Sequence, residues 1–193
     1  MVDIGRRELL LLLIGVDPEG RSHGVISGIT RLQKLLFLLQ EEEHISPTGG
    51  GFEFVAYKAG PYSAKLYDDL ELLQNLGLIR SEATAESSEA ETADIEKLSF
   101  DELIGGFDDL DGVSKAADSF EERRYTLTEK GRERAQRLMS TAGSEAVTDG
   151  IRKIKSQFSR HSLHDLLRYV YTRYPGMTTE SEIIAKVLGR KSK

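Results

Sequence analysis

Two stretches of the sequence decide the fold: LYDDLELLQNLGLI at residues 66–79 and RYTLTEKGR at residues 124–132. In the first, leucines at helical spacing lead to Gly77, which suits the left-handed conformation that ends many helices, and an apolar strand follows at once. In the second, a short strand leads to Thr128, which can cap the helix that follows. Paired as adjacent strands, the two stretches predict a winged helix-turn-helix.

The remaining pattern predicts a mainly helical protein with a small β-sheet. Apolar residues follow the helical repeat at about residues 4–13 and 29–43, and a short strand is expected at residues 52–57. The GPYS sequence at residues 60–63 is typical of a turn that opens a helix. We expect Ser63 to be the N-cap of that helix, because its hydroxyl can accept from a free amide of the first turn.

An acidic segment interrupts the predicted wing at residues 82–122. It holds 14 Asp and Glu residues against two lysines, a net charge of −12, and its weak periodicity is typical of a solvated insertion. Residues 123–193 are basic instead, with 16 Lys and Arg against seven acids. We expect a winged-helix domain at residues 1–140, with this long acidic insertion in its wing, and a C-terminal helical extension at residues 141–193. The sequence leaves open whether that extension folds back on the core or pairs with a second subunit as a homodimer.

Composition excludes several functional classes. The 193 residues include no cysteine and no run approaching the roughly 18 apolar residues that span a bilayer. We therefore expect a cytoplasmic protein with no membrane contact. His161 and His164 have a spacing that could share a helix face, but further metal ligands are not evident, so neither a metal nor a cofactor is expected. No nucleophile, base and orienting carboxylate form a recognisable set, which predicts that the protein is not an enzyme.

The N-terminal half resembles a known family. The sequence ITRLQKLLFLLQ at residues 29–40, the pair Phe52 and Phe54, and the GPYS turn are similar to the YwgA-type winged-helix proteins of bacteria and archaea. More distantly, the chain resembles the Panacea-type antitoxin domain, which carries a similar Leu-x-Lys-Leu helix and a Gly-Pro turn. The resemblance covers about residues 1–81 and 123–140. It implies a winged-helix fold and a regulatory or toxin-neutralising class of protein, and the acidic insertion departs from it.

The leading functional hypothesis is a DNA-binding transcriptional regulator, with double-stranded DNA as its partner. In a winged helix, the helix at residues 64–76 would contact base edges, while its N-terminus and the wing contact phosphates. Asp68, Asp69 and Glu71 are expected on the exposed face of that helix, where they would repel DNA. We therefore assign the DNA contacts to the turn and to the basic C-terminal helices. The candidate residues are Tyr62, Ser63, Lys65, Arg132, Arg134, Arg137, Arg152, Lys153 and Lys155.

The alternative hypothesis is an antitoxin-like or adaptor protein that binds another protein. In this interpretation the acidic insertion at residues 82–122 contacts a basic partner, and the winged helix is only a scaffold. The C-terminal tyrosines allow two interpretations as well. Tyr169, Tyr171 and Tyr174 could stack bases, but at helical spacing they favour packing against a helix or a subunit.

Overall fold

The computed structural model describes residues 3–18, 24–83, 123–141, 143–158 and 160–189. Its helices are α1 (Arg6–Gly15), α2 (Ile29–Glu42), α3 (Ala64–Asn75), α4 (Glu129–Met139), α5 (Ser144–Phe158), α6 (Leu163–Arg173) and α7 (Ile184–Leu188). Its strands are β1 (Val25–Ser27), β2 (Val55–Tyr57), β3 (Gly60–Tyr62), β4 (Ile79–Ala83) and β5 (Arg123–Leu127). The protein is therefore mainly helical with a small amount of antiparallel sheet, as expected.

The predicted pairing of the strands on either side of the acidic insertion is confirmed. β4 and β5 are antiparallel, with Ile79 opposite Leu127 and Ser81 opposite Tyr125. β1 pairs with the other edge of β5, so that the sheet has the order β1-β5-β4. The apolar residues Ile79 and Leu127 are both buried in the core. A slip of one residue in the pairing would turn such side chains to the other face of the sheet, so their burial fixes the register of the hairpin.

The local signals that decided the prediction are present in the structure. Gly77 follows α3 with φ of +66°, and its N–H donates to the carbonyl of Gln74 at 2.8 Å. Thr128 precedes α4, and its hydroxyl oxygen accepts from the Gly131 N–H at 3.1 Å. Position 131 also requires a glycine, because a Cβ there would lie 2.0 Å from the carbonyl oxygen of Leu78. The end of α3 and the start of α4 are thus specified by short-range sequence, whereas Gly131 is required by the approach of Leu78, which is distant in sequence.

A second hairpin departs from the prediction. The strand expected at residues 52–57 is shorter, covering Val55–Tyr57. The GPYS turn is itself partly a strand, since Gly60–Tyr62 pairs with β2 as a separate two-stranded sheet. Gly60 has φ of +88° and lies so close to Tyr171 that a Cβ would meet its ring at 2.8 Å. This hairpin is therefore packed against the C-terminal part of the chain.

The C-terminal helices fold back on the rest of the protein and share its core. α1 is buried on nearly all sides from Leu9 to Ile14. α5 packs against α1 and α2, and α6 packs against α2, with Ile154 and Leu166 fully buried. One continuous cluster of buried side chains therefore joins both predicted domains. The extension therefore folds back on the core, which is the first of the two alternatives that the sequence left open.

The acidic insertion is described only where it leaves the hairpin. Glu82 and Ala83 belong to β4, so the strand continues two residues into the segment that the sequence assigned to the insertion. The remainder, residues 84–122, lies outside the described residues. The register of β4 and β5 places the start and the end of this segment side by side, with Ala83 opposite Arg123.

Candidate functional site

The two motifs that carry the family resemblance meet inside the protein. From α2, the amide oxygen of Gln33 accepts from the Ser63 N–H at 3.1 Å, and its amide nitrogen donates to the Tyr67 hydroxyl at 3.2 Å. The next residue, Lys34, is 2% exposed and donates to the carbonyl of Pro61 at 3.0 Å. The Leu-x-Lys-Leu helix and the Gly-Pro turn therefore hold each other in place through buried hydrogen bonds.

This arrangement corrects the assignment of Ser63. Its side chain makes no capping bond to α3, and its hydroxyl donates instead to the carbonyl of Phe52. Ser63 is fully buried, and its N–H is occupied by Gln33. Because both polar groups are used internally, Ser63 is not available to a phosphate on the surface. Lys65, two residues further along, forms an ion pair with Glu53.

Tyr62 belongs to a row of aromatic rings beside the turn. Its ring centroid lies 5.1 Å from that of Tyr57 and 5.7 Å from that of Tyr67, and all three rings are partly buried. Val55 lies opposite Tyr62 in the hairpin and is 53% exposed. The surface at this hairpin is thus aromatic and apolar.

The predicted basic residues of α4 lie on the surface, and each is paired with an acid. Arg134 contacts Glu8 of α1 at 2.6 Å between guanidinium and carboxylate. Within α4, Arg137 and Glu133 are 3.4 Å apart at positions one turn apart, and Arg132 pairs with Glu129. These pairs reduce the positive potential that α4 presents to solvent.

The predicted basic residues of α5 divide into an exposed pair and a buried lysine. Arg152 contacts Asp149 at 2.7 Å, and Lys153 contacts Glu43 at 2.7 Å. Lys155 is only 7% exposed, which corrects its assignment to a DNA-binding surface. The three basic residues of α5 are close in sequence, yet only two of them face solvent.

Lys155 caps the C-terminal end of α1. Its amine donates to the carbonyls of Leu13 at 3.0 Å and Ile14 at 3.3 Å, and also to that of Val16. These groups lie at the negative end of the helix, where a cation is favoured. Burial lowers the pKa of Lys155 to about 8, and the Asp17 carboxylate opposes this change. Lys155 therefore joins α5 to α1.

The exposed face of α3 is acidic, although one of its expected members is buried. Asp68 and Glu71 are exposed, as the sequence suggested. Asp69 is 1% exposed and accepts from Arg6 at 2.7 Å and from Arg7 at 3.0 Å, which corrects its expected place on the surface. α3 therefore presents two carboxylates to solvent, while a third fastens it to α1.

The C-terminal tyrosines pack against the body of the protein. The hydroxyls of Tyr169 and Tyr174 both donate to the same carboxylate oxygen of Glu42, at 2.7 and 3.3 Å. Burial, together with this carboxylate, raises the pKa of Tyr169 and raises that of Tyr174 to about 12. Tyr171 is 2% exposed and its hydroxyl is 2.8 Å from that of Ser181. The packing interpretation of these residues is confirmed.

Comparison with known proteins leaves the family open. No family model matches the sequence, and no curated protein is detectably similar to it. Within the described ranges, no three His, Asp or Glu side chains come together so that they could hold a metal ion. None of the helices in the part of the chain that the structure describes is both long enough and apolar enough to cross a membrane.

Proposed function

We propose that this chain is a non-enzymatic winged-helix protein whose fold serves as a scaffold for binding a basic protein partner. The winged-helix assignment is supported by the order α1, β1, α2, α3, β4, β5 and by the sheet order β1-β5-β4. The hairpin of β2 and β3 is an addition between the second and third helices. In this order of elements, α3 corresponds to the recognition helix of a winged helix, and β4 and β5 correspond to its wing.

The observation that carries the proposal is the acidic charge on α3 and in the sequence of the insertion that joins β4 to β5. α3 exposes Asp68 and Glu71, and its Lys65 is paired with Glu53. The wing strands lead directly into an insertion whose sequence has a net charge of −12. A DNA duplex repels such a surface, because binding a phosphate backbone requires cations at the contact. A partner rich in lysine and arginine is attracted to it instead.

The basic helices α4 and α5 do not make DNA the better-supported partner. Five of the predicted DNA-contacting cations on α4 and α5 are paired with carboxylates of the same chain, and Lys155 is buried. A DNA duplex would have to compete with these carboxylates for its contacts to the five paired cations. An antitoxin-like or adaptor role therefore has more support than transcriptional regulation.

DNA binding is retained as the second candidate because of the wing strands. Arg80 and Arg123 are exposed on β4 and β5, which are the elements that approach the backbone in a winged helix. Arg80 is paired with Glu82, whereas Arg123 donates to the hydroxyl of Ser81. A homodimer would bring two such hairpins together along a duplex.

An anisotropy titration separates the two candidates. The purified protein is titrated into a labelled mixed-sequence duplex at about 50 mM salt and again at about 200 mM salt. We expect no salt-sensitive binding. Submicromolar binding that weakens steeply with salt would overturn the proposal in favour of the DNA-binding candidate.

A capture experiment tests the protein partner. The double substitution Asp68→Asn with Glu71→Gln removes the exposed charge of α3, and Glu145→Gln with Glu180→Gln removes the same charge from exposed sites elsewhere. We expect the wild-type chain and the control variant to retain one basic protein from cells of its source, and the α3 variant to lose it. Equal retention by all three proteins would contradict the role assigned to α3.

A further inference from the structure

Arg168 differs from the candidate cations on the surface of α4 and α5, each of which is paired with a carboxylate. It lies on the exposed side of α6, and in the part of the chain that the structure describes its guanidinium has neither a hydrogen-bond acceptor nor an ion pair. A guanidinium offers five N–H donors in a planar fork that fits a carboxylate or a phosphate. Arg168 is thus a cation whose anion is not supplied by its described neighbours.

Arg168 lines a cleft of about 690 Å³ between the end of α5 and α6. The wall of this cleft includes the buried ring of Phe158, which lies 5.0 Å from the ring of Tyr169 and 5.5 Å from that of His161. A volume of this size falls within the usual range for small-molecule sites, roughly 300–1,000 Å³. The cleft therefore combines an aromatic wall with an available cation.

Two other polar groups of the cleft, the Asp165 carboxylate and the Tyr169 hydroxyl, are already hydrogen-bonded within the chain. The carboxylate of Asp165 accepts from the Ser162 hydroxyl at 2.8 Å, and this bond holds the pKa of Asp165 below its usual value. The Tyr169 hydroxyl donates to Glu42. Asp165 is thus hydrogen-bonded at the start of α6 and keeps its negative charge, and among the described residues it forms no ion pair with Arg168, three residues further along the helix.

A second hollow of about 340 Å³ extends the site on the other side of Arg168. Arg168 and Thr172 line both cavities, and Ile184 and Leu188 of α7 supply apolar surface to the smaller one. The cation therefore lies at the junction of two hollows with apolar walls. A ligand held there places its charge at the junction and its body against the aromatic wall.

We propose that this cleft binds a small organic anion, namely a carboxylate or phosphate carried by an aromatic ring. Arg168 binds the anionic group through a charge-assisted hydrogen bond, and Tyr169 and His161, which pack on Phe158, contact the ring. This site lies on α5 and α6, away from the acidic face of α3. It is therefore independent of the protein partner proposed above.

Calorimetric titration with four probes tests the site. Indole-3-acetate and adenosine 5′-monophosphate each carry a ring and an anion, while adenosine carries the ring alone and inorganic phosphate the anion alone. We expect at least one of the first two to bind with a dissociation constant below about 1 mM, and the latter two to bind at least about tenfold more weakly. The stronger of the first two probes is the one used with the variants below.

The variant Arg168→Gln, with Arg173→Gln as control, assigns the binding to the cleft. Arg173 lies on the same helix and is also exposed, but it lines neither hollow. We expect Arg168→Gln to weaken binding by about 10- to 100-fold and Arg173→Gln to leave it within about twofold, because a hydrogen bond to a charged group contributes this much. Arg168→Lys should recover part of the loss.

Two results would overturn the proposal. One is that the wild-type chain binds none of the four probes at about 10 mM, well above the expected dissociation constant. The other is that Arg168→Gln and Arg173→Gln bind the best probe equally well. Because Arg168 is exposed, we expect both variants to show the circular dichroism spectrum of the wild type.

Discussion

The interior and the outer face of α5 use the same residue type in opposite ways. Lys155 is buried and holds the end of α1 through backbone carbonyls, whereas Lys153 is exposed and contacts the Glu43 carboxylate. An amine inside the protein loses its hydration, so it must find acceptors in the fold. An amine on the surface keeps its water and contributes little by pairing. Position on the helix, and not residue type, therefore decides what a lysine does.

The same contrast runs through the whole molecule. Buried polar groups at Gln33, Lys34, Ser63 and Asp69 join elements that are distant in sequence. Two of the exposed pairs, Arg137 with Glu133 and Arg152 with Asp149, lie within one helix, and two others, Arg134 with Glu8 and Lys153 with Glu43, join different elements. The interior polar contacts thus all join separate parts of the chain, whereas the surface pairs do so only in part.

The largest expected effect is the pH dependence of stability caused by Lys155. Its pKa is about 8 in the folded chain and the ordinary 10.5 after unfolding. Between these pH values the unfolded chain binds one more proton, so the free energy of unfolding rises with pH. Urea unfolding from pH 7 to 10 should show a gain of up to about 3 kcal/mol attributable to this group.

The variants Lys155→Met and Lys153→Met make this prediction specific. We expect Lys155→Met to lose the rise and Lys153→Met to keep it, because only the buried amine has a lowered pKa. Above pH 10 the raised pKa of Tyr174 acts in the opposite direction, since the unfolded chain then loses its tyrosine proton first. The same slope in all three proteins would show that Lys155 is not buried as described.

The next effect concerns the buried carboxylate between α1 and α3. Asp69→Ala should lower the free energy of unfolding by about 2 kcal/mol, because Arg6 and Arg7 lose their shared partner but can regain water. The neighbouring Asp68→Ala, at an exposed site, is the matched control and should change it by less than about 0.5 kcal/mol. Chemical denaturation measures both. Equal changes in the free energy of unfolding would show that the buried Asp69 contributes no more to stability than the exposed Asp68.

A smaller effect is expected at the hairpin turn. Ser63→Ala removes the buried hydrogen bond to the Phe52 carbonyl and should destabilise the protein by about 1 kcal/mol. Ser156 is exposed and donates to the carbonyl of Lys153 within its own helix, so Ser156→Ala is the control. Thermal unfolding of both variants checks the difference. If Ser63 instead bound phosphate on the surface, its loss would leave stability unchanged.

The smallest effects are expected for the exposed ion pairs. Arg134→Gln and Arg152→Gln should each change the free energy of unfolding by less than about 0.5 kcal/mol, because exposed pairs are screened and ordered at an entropic cost. Denaturation at low and high salt gives the measurement. A loss above about 1 kcal/mol would show that these exposed pairs contribute as much to the free energy of unfolding as the interior contacts do, which would contradict the difference between interior and surface.

Local features of the fold were predictable because their causes lie within a few residues. Gly77 ends α3 through its left-handed backbone, and Thr128 caps α4 through the amide three residues on. The pairing of β4 with β5 followed from placing these two signals beside each other. Each depends on backbone geometry that a short stretch of sequence can specify.

The candidate site was less predictable, because its residues act across long separations in sequence. The spacing in α3 placed Asp69 near Asp68 and Glu71, but burial depends on α1, which is more than 50 residues away. The basic run in α5 gave no sign that Lys155 faces the interior, although the apolar residues Ile151, Ile154 and Phe158 mark that face of the helix. That apolar stripe is the signal that could have identified it.

Sequence by itself determined the local signals of this protein: the end of α3 at Gly77, the start of α4 at Thr128, and the opposite charges of the insertion and the C-terminal part. Only the tertiary structure decided which polar side chains are internal, as at Lys34, Ser63 and Lys155, and which cations meet acids on the surface. The physical reason is that the two kinds of interaction act over different separations in sequence. Backbone conformation responds to neighbours in sequence, whereas desolvation and pairing depend on every element packed nearby.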